Sequence, residues 1–292
     1  MKKTILMICG IVFLMASCNE DNDVDIQYQV TIRIDAMDVV KNLREDADGT
    51  ELFPNGEIIV SGANPLHPRI KCLIYDSDGS LFTEETRIVD DFTKTVSITT
   101  KLPGGNYTIV ASADLVQHTG DQVNFEFWKF ENTSSLEDFK ITDLKFDAGL
   151  YKVLGIYKNA ININEGINSE IRIKPAGSLI TFRFWTEFSN EISKIAYSWN
   201  KHPDYYHVND NKATYLDLEK PYKEEFEIDP KYQAFVGVQY FLSTQDLNIH
   251  WWTTLSDETV NEGNVVFNTL TPGINYLVSI NVISSDLQIT EL

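Results

Sequence analysis

The sequence predicts an all-β protein built as two tandem β-sandwiches, and three observations carry that reading. Apolar and polar residues alternate over many short stretches. Turn-forming dipeptides break those stretches again and again. One five-residue turn-and-strand motif occurs twice, far apart in the chain.

The alternation has the period of a strand with one buried face. Val30, Ile32 and Ile34 point one way while Thr31, Arg33 and Asp35 point the other. The pattern recurs at Val96-Ser97-Ile98-Thr99, Ile171-Arg172-Ile173-Lys174 and Phe226-Glu227-Ile228. Tyr107 to Ala111 and Ala234 to Leu242 are apolar on both faces, which suits central strands. Between them lie Asp48-Gly49, Asn55-Gly56, Asp78-Gly79, Pro103-Gly104 and Pro272-Gly273, all able to reverse a chain. Only Ser134 to Asp143 suggests a short helix.

The repeated motif is Pro103-Gly104-Gly105-Asn106-Tyr107 and, 169 positions on, Pro272-Gly273-Ile274-Asn275-Tyr276. Each copy has a leucine just upstream (Leu102, Leu270) and a β-rich run downstream. Proline presets φ for the turn and glycine supplies the conformation that follows. The echo predicts two homologous domains, residues 28–160 and 161–292, joined through the polar stretch Asn159 to Ser169. Tyr107 and Tyr276 are then expected at equivalent places in the two.

The N-terminus is of another kind. Lys2-Lys3 precedes an apolar run from Ile5 to Met15, which is too short to span about 30 Å of hydrocarbon, a length that takes about 20 residues. It ends in Leu14-Met15-Ala16-Ser17-Cys18, which resembles the lipobox of bacterial lipoproteins, so residues 1–17 read as a signal peptide and Cys18 as the lipidated residue. Two or more acyl chains anchor stably where one is marginal. Residues 18–27 follow as an acidic tether, with Glu20, Asp21, Asp23 and Asp25 too polar to pack a core. An acidic stretch there also resembles the signal that carries Bacteroidales lipoproteins to the outer face of the outer membrane.

The formal charge is −19, and the loss of Lys2 and Lys3 with the signal takes it to −21. Such a chain is repelled by nucleic acid and by anionic lipid, which excludes both as partners. Of three cysteines, Cys9 leaves with the signal and Cys18 carries lipid. Cys72 remains alone between apolar neighbours, to be buried as a small hydrophobe.

The strand ending in Tyr75-Asp76-Ser77-Asp78-Gly79-Ser80-Leu81-Phe82, followed by a polar strand and then Leu102 to Ala111, resembles the N-terminal domain of the fimbrillin superfamily. Within it, the chain is most similar to the anchor-type fimbrial lipoproteins of Bacteroidales type V pili. The stretch from Ile171 to Ala176 and the closing run Leu270 to Val282 fit a second domain of the same plan. The resemblance implies two transthyretin-like sandwiches and a non-enzymatic fimbrial anchor or accessory subunit with a role in adhesion. It implies an outer-membrane location, with other fimbrial subunits and host or bacterial surface ligands as partners. It brings no catalytic residue. The alternative is a glycan-binding surface lipoprotein of a polysaccharide-uptake system.

Candidate sites are few, and no cofactor or metal is expected. Asp46 to Glu51 and Asp76 to Ser80 open like calcium loops, but the twelfth position counted from Asp76 as the first is Arg87, and Pro54 interrupts the loop after Asp46. The five histidines show no ligand spacing; His202 and His207 are expected in a surface loop around Pro203. No nucleophile elbow or phosphate loop is present. Aromatic residues invite a ligand: Trp128 in Phe125 to Phe130, and Trp251-Trp252, where one ring faces the core and the other faces outward. These three are the candidate ligand or interface aromatics.

Overall fold

The computed structural model describes residues 26–39, 66–89, 94–120, 122–144, 152–185, 192–228, 234–242 and 244–292. Cys18 and most of the tether lie outside these residues, as does the Asp46 to Glu51 loop. The described residues form nineteen strands. The first eleven are β1 (Gln27–Asp35), β2 (His67–Tyr75), β3 (Leu81–Ile88), β4 (Val96–Pro103), β5 (Gly105–Thr119), β6 (Gln122–Glu126), β7 (Trp128–Glu131), β8 (Lys140–Asp143), β9 (Leu154–Ile163), β10 (Ile167–Arg172) and β11 (Lys174–Pro175). Then come β12 (Gly177–Trp185), β13 (Ile192–His207), β14 (Lys212–Glu227), β15 (Ala234–Leu242), β16 (Gln245–Leu255), β17 (Val260–Thr269), β18 (Tyr276–Asn281) and β19 (Leu287–Glu291).

The first sandwich sets a three-stranded sheet, β10-β1-β4, against a sheet ordered β11-β9-β5-β2-β3, with β6 beside β5. The second sets β15-β12-β18-β19 against β17-β16-β13-β8-β7, with β14 beside β13. The alternating strands become one-sided: Val30, Ile32 and Ile34 are fully buried in β1, and their neighbours face out. Strand β2 is buried on both faces because it lies between β3 and β5 and is covered on both sides. Cys72 sits within it at 2% exposure, and burial pushes its thiol up to about 12, so it is an inert part of the core.

The two sandwiches repeat one pairing plan. Strand β1 pairs antiparallel with β4 and parallel with β10; β12 pairs antiparallel with β15 and parallel with β18. Strand β2 pairs with β3 and β5, and β13 pairs with β14 and β16. Strands β5 and β9 match β16 and β17. The duplication is thus present in the topology, but the motif that predicted it does not mark it. Tyr107 opens β5, whose counterpart is β16, whereas Tyr276 opens β18, whose counterpart is β10. The two tyrosines are not equivalent.

What they share is a local device. Tyr107 donates its hydroxyl back to the Pro103 carbonyl at 3.2 Å, and the Tyr276 hydroxyl accepts from the Thr271 amide at 3.4 Å. Each ring is at least nine-tenths buried, and each packs edge-on against a phenylalanine, Phe82 or Phe267. The motif pins a strand to the turn that precedes it, wherever in the sandwich that strand lies.

Two further expectations change. A division at residue 160/161 falls inside β9, and β10, drawn from the polar stretch Asn159 to Ser169, pairs with β1 from Val30↔Ile167 to Asp35↔Arg172. In the pairing pattern, the chain passes from one sandwich to the other at Ile173 to Gly177. Ser134 to Asp143 forms turns and then β8, with no helix. Its apolar residues Phe139 and Ile141 are spaced for a strand face and both are fully buried.

Candidate functional site

Of the three candidate tryptophans, two belong to the interior. Trp128 has no exposed surface, and its indole N–H donates to the Lys152 carbonyl at 3.2 Å. A bend at Phe127, between β6 and β7, resets the alternation, so Phe127 and Trp128 are both buried although adjacent. Trp251 is 1% exposed and packs edge-on against Phe184. It lies so close to Gly263 that a Cβ there would come within 2.8 Å of the ring. Neither Trp128 nor Trp251 can meet a ligand from solution.

Trp252 points the other way. It is half-buried on the outer face of the second sandwich, opposite Ala196 on β13 and Glu262 on β17. The Lys223 ammonium stands 4.6 Å from the ring centroid, and the His250 ring lies 5.3 Å away. His250 in turn meets Glu262 at 3.3 Å. The small residues opposite Trp252 and His250, Ala196 and Ser198, are themselves buried.

The junction between the sandwiches holds two buried ionic clusters that the sequence did not disclose. Arg69 of β2 donates from Nε and Nη2 to both carboxylate oxygens of Asp114 on β5, at 2.9 and 2.6 Å. Its Nη2 also reaches the Trp128 carbonyl at 3.1 Å, and its guanidinium stacks 4.7 Å from the Phe130 ring centre. A bidentate fork with a stacked face is what arginine provides and lysine does not. Arg69 thereby ties β7 to the first sandwich. In the second cluster, Asp143 at the end of β8 is ion-paired with Lys152 and lies 3.4 Å from Nε2 of His202 on β13. Burial, with the Lys152 charge beside it, holds His202 far below its usual value, at about 3, so its ring is neutral.

His202 is therefore not in a surface loop. Strand β13 continues through Pro203, with register shifts on either side of it against β14, and carries His202 inward. The β7–β8 hairpin completes the arrangement. It belongs to the first half of the chain, yet β8 pairs with Tyr205 to His207 of β13 in the second sandwich. One hydrophobic cluster accordingly runs from Val30 and Ile109 to Tyr206, Tyr240 and Leu242.

The aspartates of Asp76 to Ser80 are occupied by their own turn. Asp76 Oδ1 accepts from the amides of Asp78 and Ser80, Asp78 Oδ1 accepts from Ser80, and Gly79 takes φ +85°. Among the described residues there is no group of three or more His, Cys, Asp or Glu that could hold a metal ion, and no helix long and apolar enough to cross a membrane.

The remaining feature is an open sheet edge. Strand β19 pairs antiparallel with β18, from Tyr276↔Glu291 to Ile280↔Leu287. All five of its residues are exposed. Leu287 and Ile289 lie beside Ile280 and Val278, which are fully buried, yet are 38% and 40% exposed themselves. The strand overhangs the sandwich, and its apolar side is uncovered among the described residues.

No protein-family model matches this chain, and no curated protein matches it. Solved structures do. A set of candidate polysaccharide-binding proteins from Bacteroides thetaiotaomicron aligns over 90% of this chain and 95% of the other, with a TM-score of 0.53 and 12% identity. A candidate cell adhesion protein from Bacteroides eggerthii aligns over 91% and 95%, with a TM-score of 0.52 and 11% identity. The tip fimbrial protein Mfa3 of Porphyromonas gingivalis, C-terminally truncated, aligns over 91% and 99%, with a TM-score of 0.50 and 10% identity. At these identities the likeness is one of fold, and it extends over both sandwiches.

Proposed function

We propose that this protein is a lipid-anchored surface subunit of a fimbrium, serving as anchor or accessory rather than as shaft, with a role in adhesion. The observation that carries the reading is the way strands β1 and β19 are paired. A subunit that polymerises by lending a strand needs a free extended tail, and one that accepts a strand needs an open edge. Here Leu287 to Glu291 are already paired in the protein's own sheet, and β1 lies between β4 and β10. Arg33, the arginine within β1, sits in mid-strand against Glu170, where a protease could cut only a locally unfolded chain. Strand β19 is thus engaged in the protein's own sheet, and its outer edge is left to receive a neighbour.

The fold shared with an adhesion-type protein and a tip fimbrial protein supports this reading. So does Cys18, which would hold the protein in the outer membrane. Deleting the gene is expected to release intact fimbriae into the medium; fimbriae that stay cell-bound would refute the anchoring role. Cys18→Ser is expected to leave the protein unprocessed or free of the membrane fraction, and absence of fatty-acid label on the wild type would refute the lipid anchor. Trp252 favours the glycan-binding reading. Micromolar binding of a neutral oligosaccharide, abolished by Trp252→Ala, would put that reading in its place.

A further inference from the structure

A cavity of about 840 Å³ opens where the two sandwiches meet, at the end of β1 remote from its N-terminus. Its volume falls within the span of small-ligand sites, and the junction of two domains is a preferred place for one. One wall is Tyr157 and Lys158 of β9 with Lys174 of β11; the other is Tyr206, Asn211 and the turn Pro272 to Ile274 from the second sandwich. The backbone under the site is fixed. Lys174 and Pro175 pair with Ile156 and Gly155, and Gly273 donates to the Gly177 carbonyl at 2.8 Å.

The polar groups are arranged with a sign. Lys158 donates to the backbone carbonyl and side-chain oxygen of Asn209, contacts that hold the ammonium without neutralising it. Lys174 is exposed and takes part in no ion pair among the described residues. The one acidic side chain lining the cavity, Asp38, is engaged by Arg172, and Leu292 lines the cavity as well. A chain of charge −19 thus turns two lysines toward one cavity. Beside them are the half-buried Tyr157 ring and an amide: the buried Tyr206 donates its hydroxyl to Asn211 Oδ1, which leaves the Asn211 amide N–H groups to a ligand.

We propose that this cavity binds a carboxylated saccharide of two or three residues, a uronic-acid oligomer or its like. The carboxylates meet Lys158 and Lys174, a sugar face lies on Tyr157, and Asn211 donates to a ring hydroxyl. The proposal rests on the adhesive reading for its setting and gives that reading a ligand. Its test does not depend on fimbrial anchoring.

The full chain, in detergent, is titrated calorimetrically with oligogalacturonate, with hyaluronan and alginate oligomers, and with neutral maltotriose. At least one uronate is expected to bind in the micromolar range, weakening as salt rises, while maltotriose does not bind. Lys174→Ala and Tyr157→Ala are each expected to weaken binding at least tenfold. Lys174→Ala, at an exposed position, is expected to leave the melting temperature unchanged, and Trp252→Ala to leave affinity unchanged. Silence with every uronate, or binding undiminished in Lys174→Ala, overturns the proposal. So does loss of binding in Trp252→Ala, which would move the site to the outer sheet face.

Discussion

The first and second sandwiches follow one pairing plan and differ in how they are finished. The first is interrupted between β5 and β9 by β6, β7 and β8, and it gives the last two away. The second runs from β16 directly into β17, takes the hairpin in, and adds β19 at its other sheet. The first is thus a donor within its own chain and the second a recipient. The difference teaches that a topological repeat need not make two independent units. The strand plan repeats, whereas the forces that stabilise it cross from one copy to the other.

The largest expected effect comes from breaking that crossing. Asp143→Ala would leave Lys152 buried without its carboxylate, a loss of about 3–5 kcal/mol for a buried pair. Scanning calorimetry is expected to show one transition in the wild type and, in the variant, a lower first transition separated from a second. Two transitions in the wild type would show that the halves melt separately despite the shared sheet.

His202 offers the same test without mutation. The unfolded chain takes a proton near pH 6.5, while the folded ring refuses it until about 3. Over that window the unfolded state binds more protons, so stability falls as pH falls, by about 1.4 kcal/mol per pH unit at the steepest. Urea midpoints at pH 7, 5 and 4 should decline, and His202→Gln should flatten the decline. An equal slope in the variant would assign the acid sensitivity to other groups.

Smaller effects sharpen the comparison strand by strand. Gly177 opens β12 so close to β15 that a Cβ would lie 2.1 Å from the Phe241 carbonyl oxygen. Gly177→Ala must push backbone apart and is expected to cost about 1–3 kcal/mol. Its placement predicts damage to the second sandwich first, visible as early loss of amide protection in β12 and β15. Tyr107→Phe and Tyr276→Phe each remove one hydrogen bond and are expected to cost about 1 kcal/mol. The first should act on β5 and the second on β18, and hydrogen exchange can tell them apart.

Strand content was legible because burial on one face imposes a period of two, and Val30, Ile32 and Ile34 bear it plainly. The opposed directions of Trp251 and Trp252 follow from the same period. What could not be read were contacts made across sequence distance. Arg69 and Asp114 are 45 residues apart, and neither sits in a local pattern that names the other. Trp128 escaped because one bend at Phe127 reverses the parity on which the reading depended. His202 escaped because Pro203 reads as a loop signal, whereas here it lies inside a long strand with irregular register. The Pro-Gly-x-Asn-Tyr echo misled for a related reason: it records how a strand is entered, which is local chemistry, and not where that strand lies in the repeat.

The lent hairpin also bears on the evolution of such chains. Modules that keep all their strands can be copied, lost or exchanged between genes without harm to their neighbours. With β8 of that hairpin paired to β13, either half taken alone would lose a strand pair that it shares with the other.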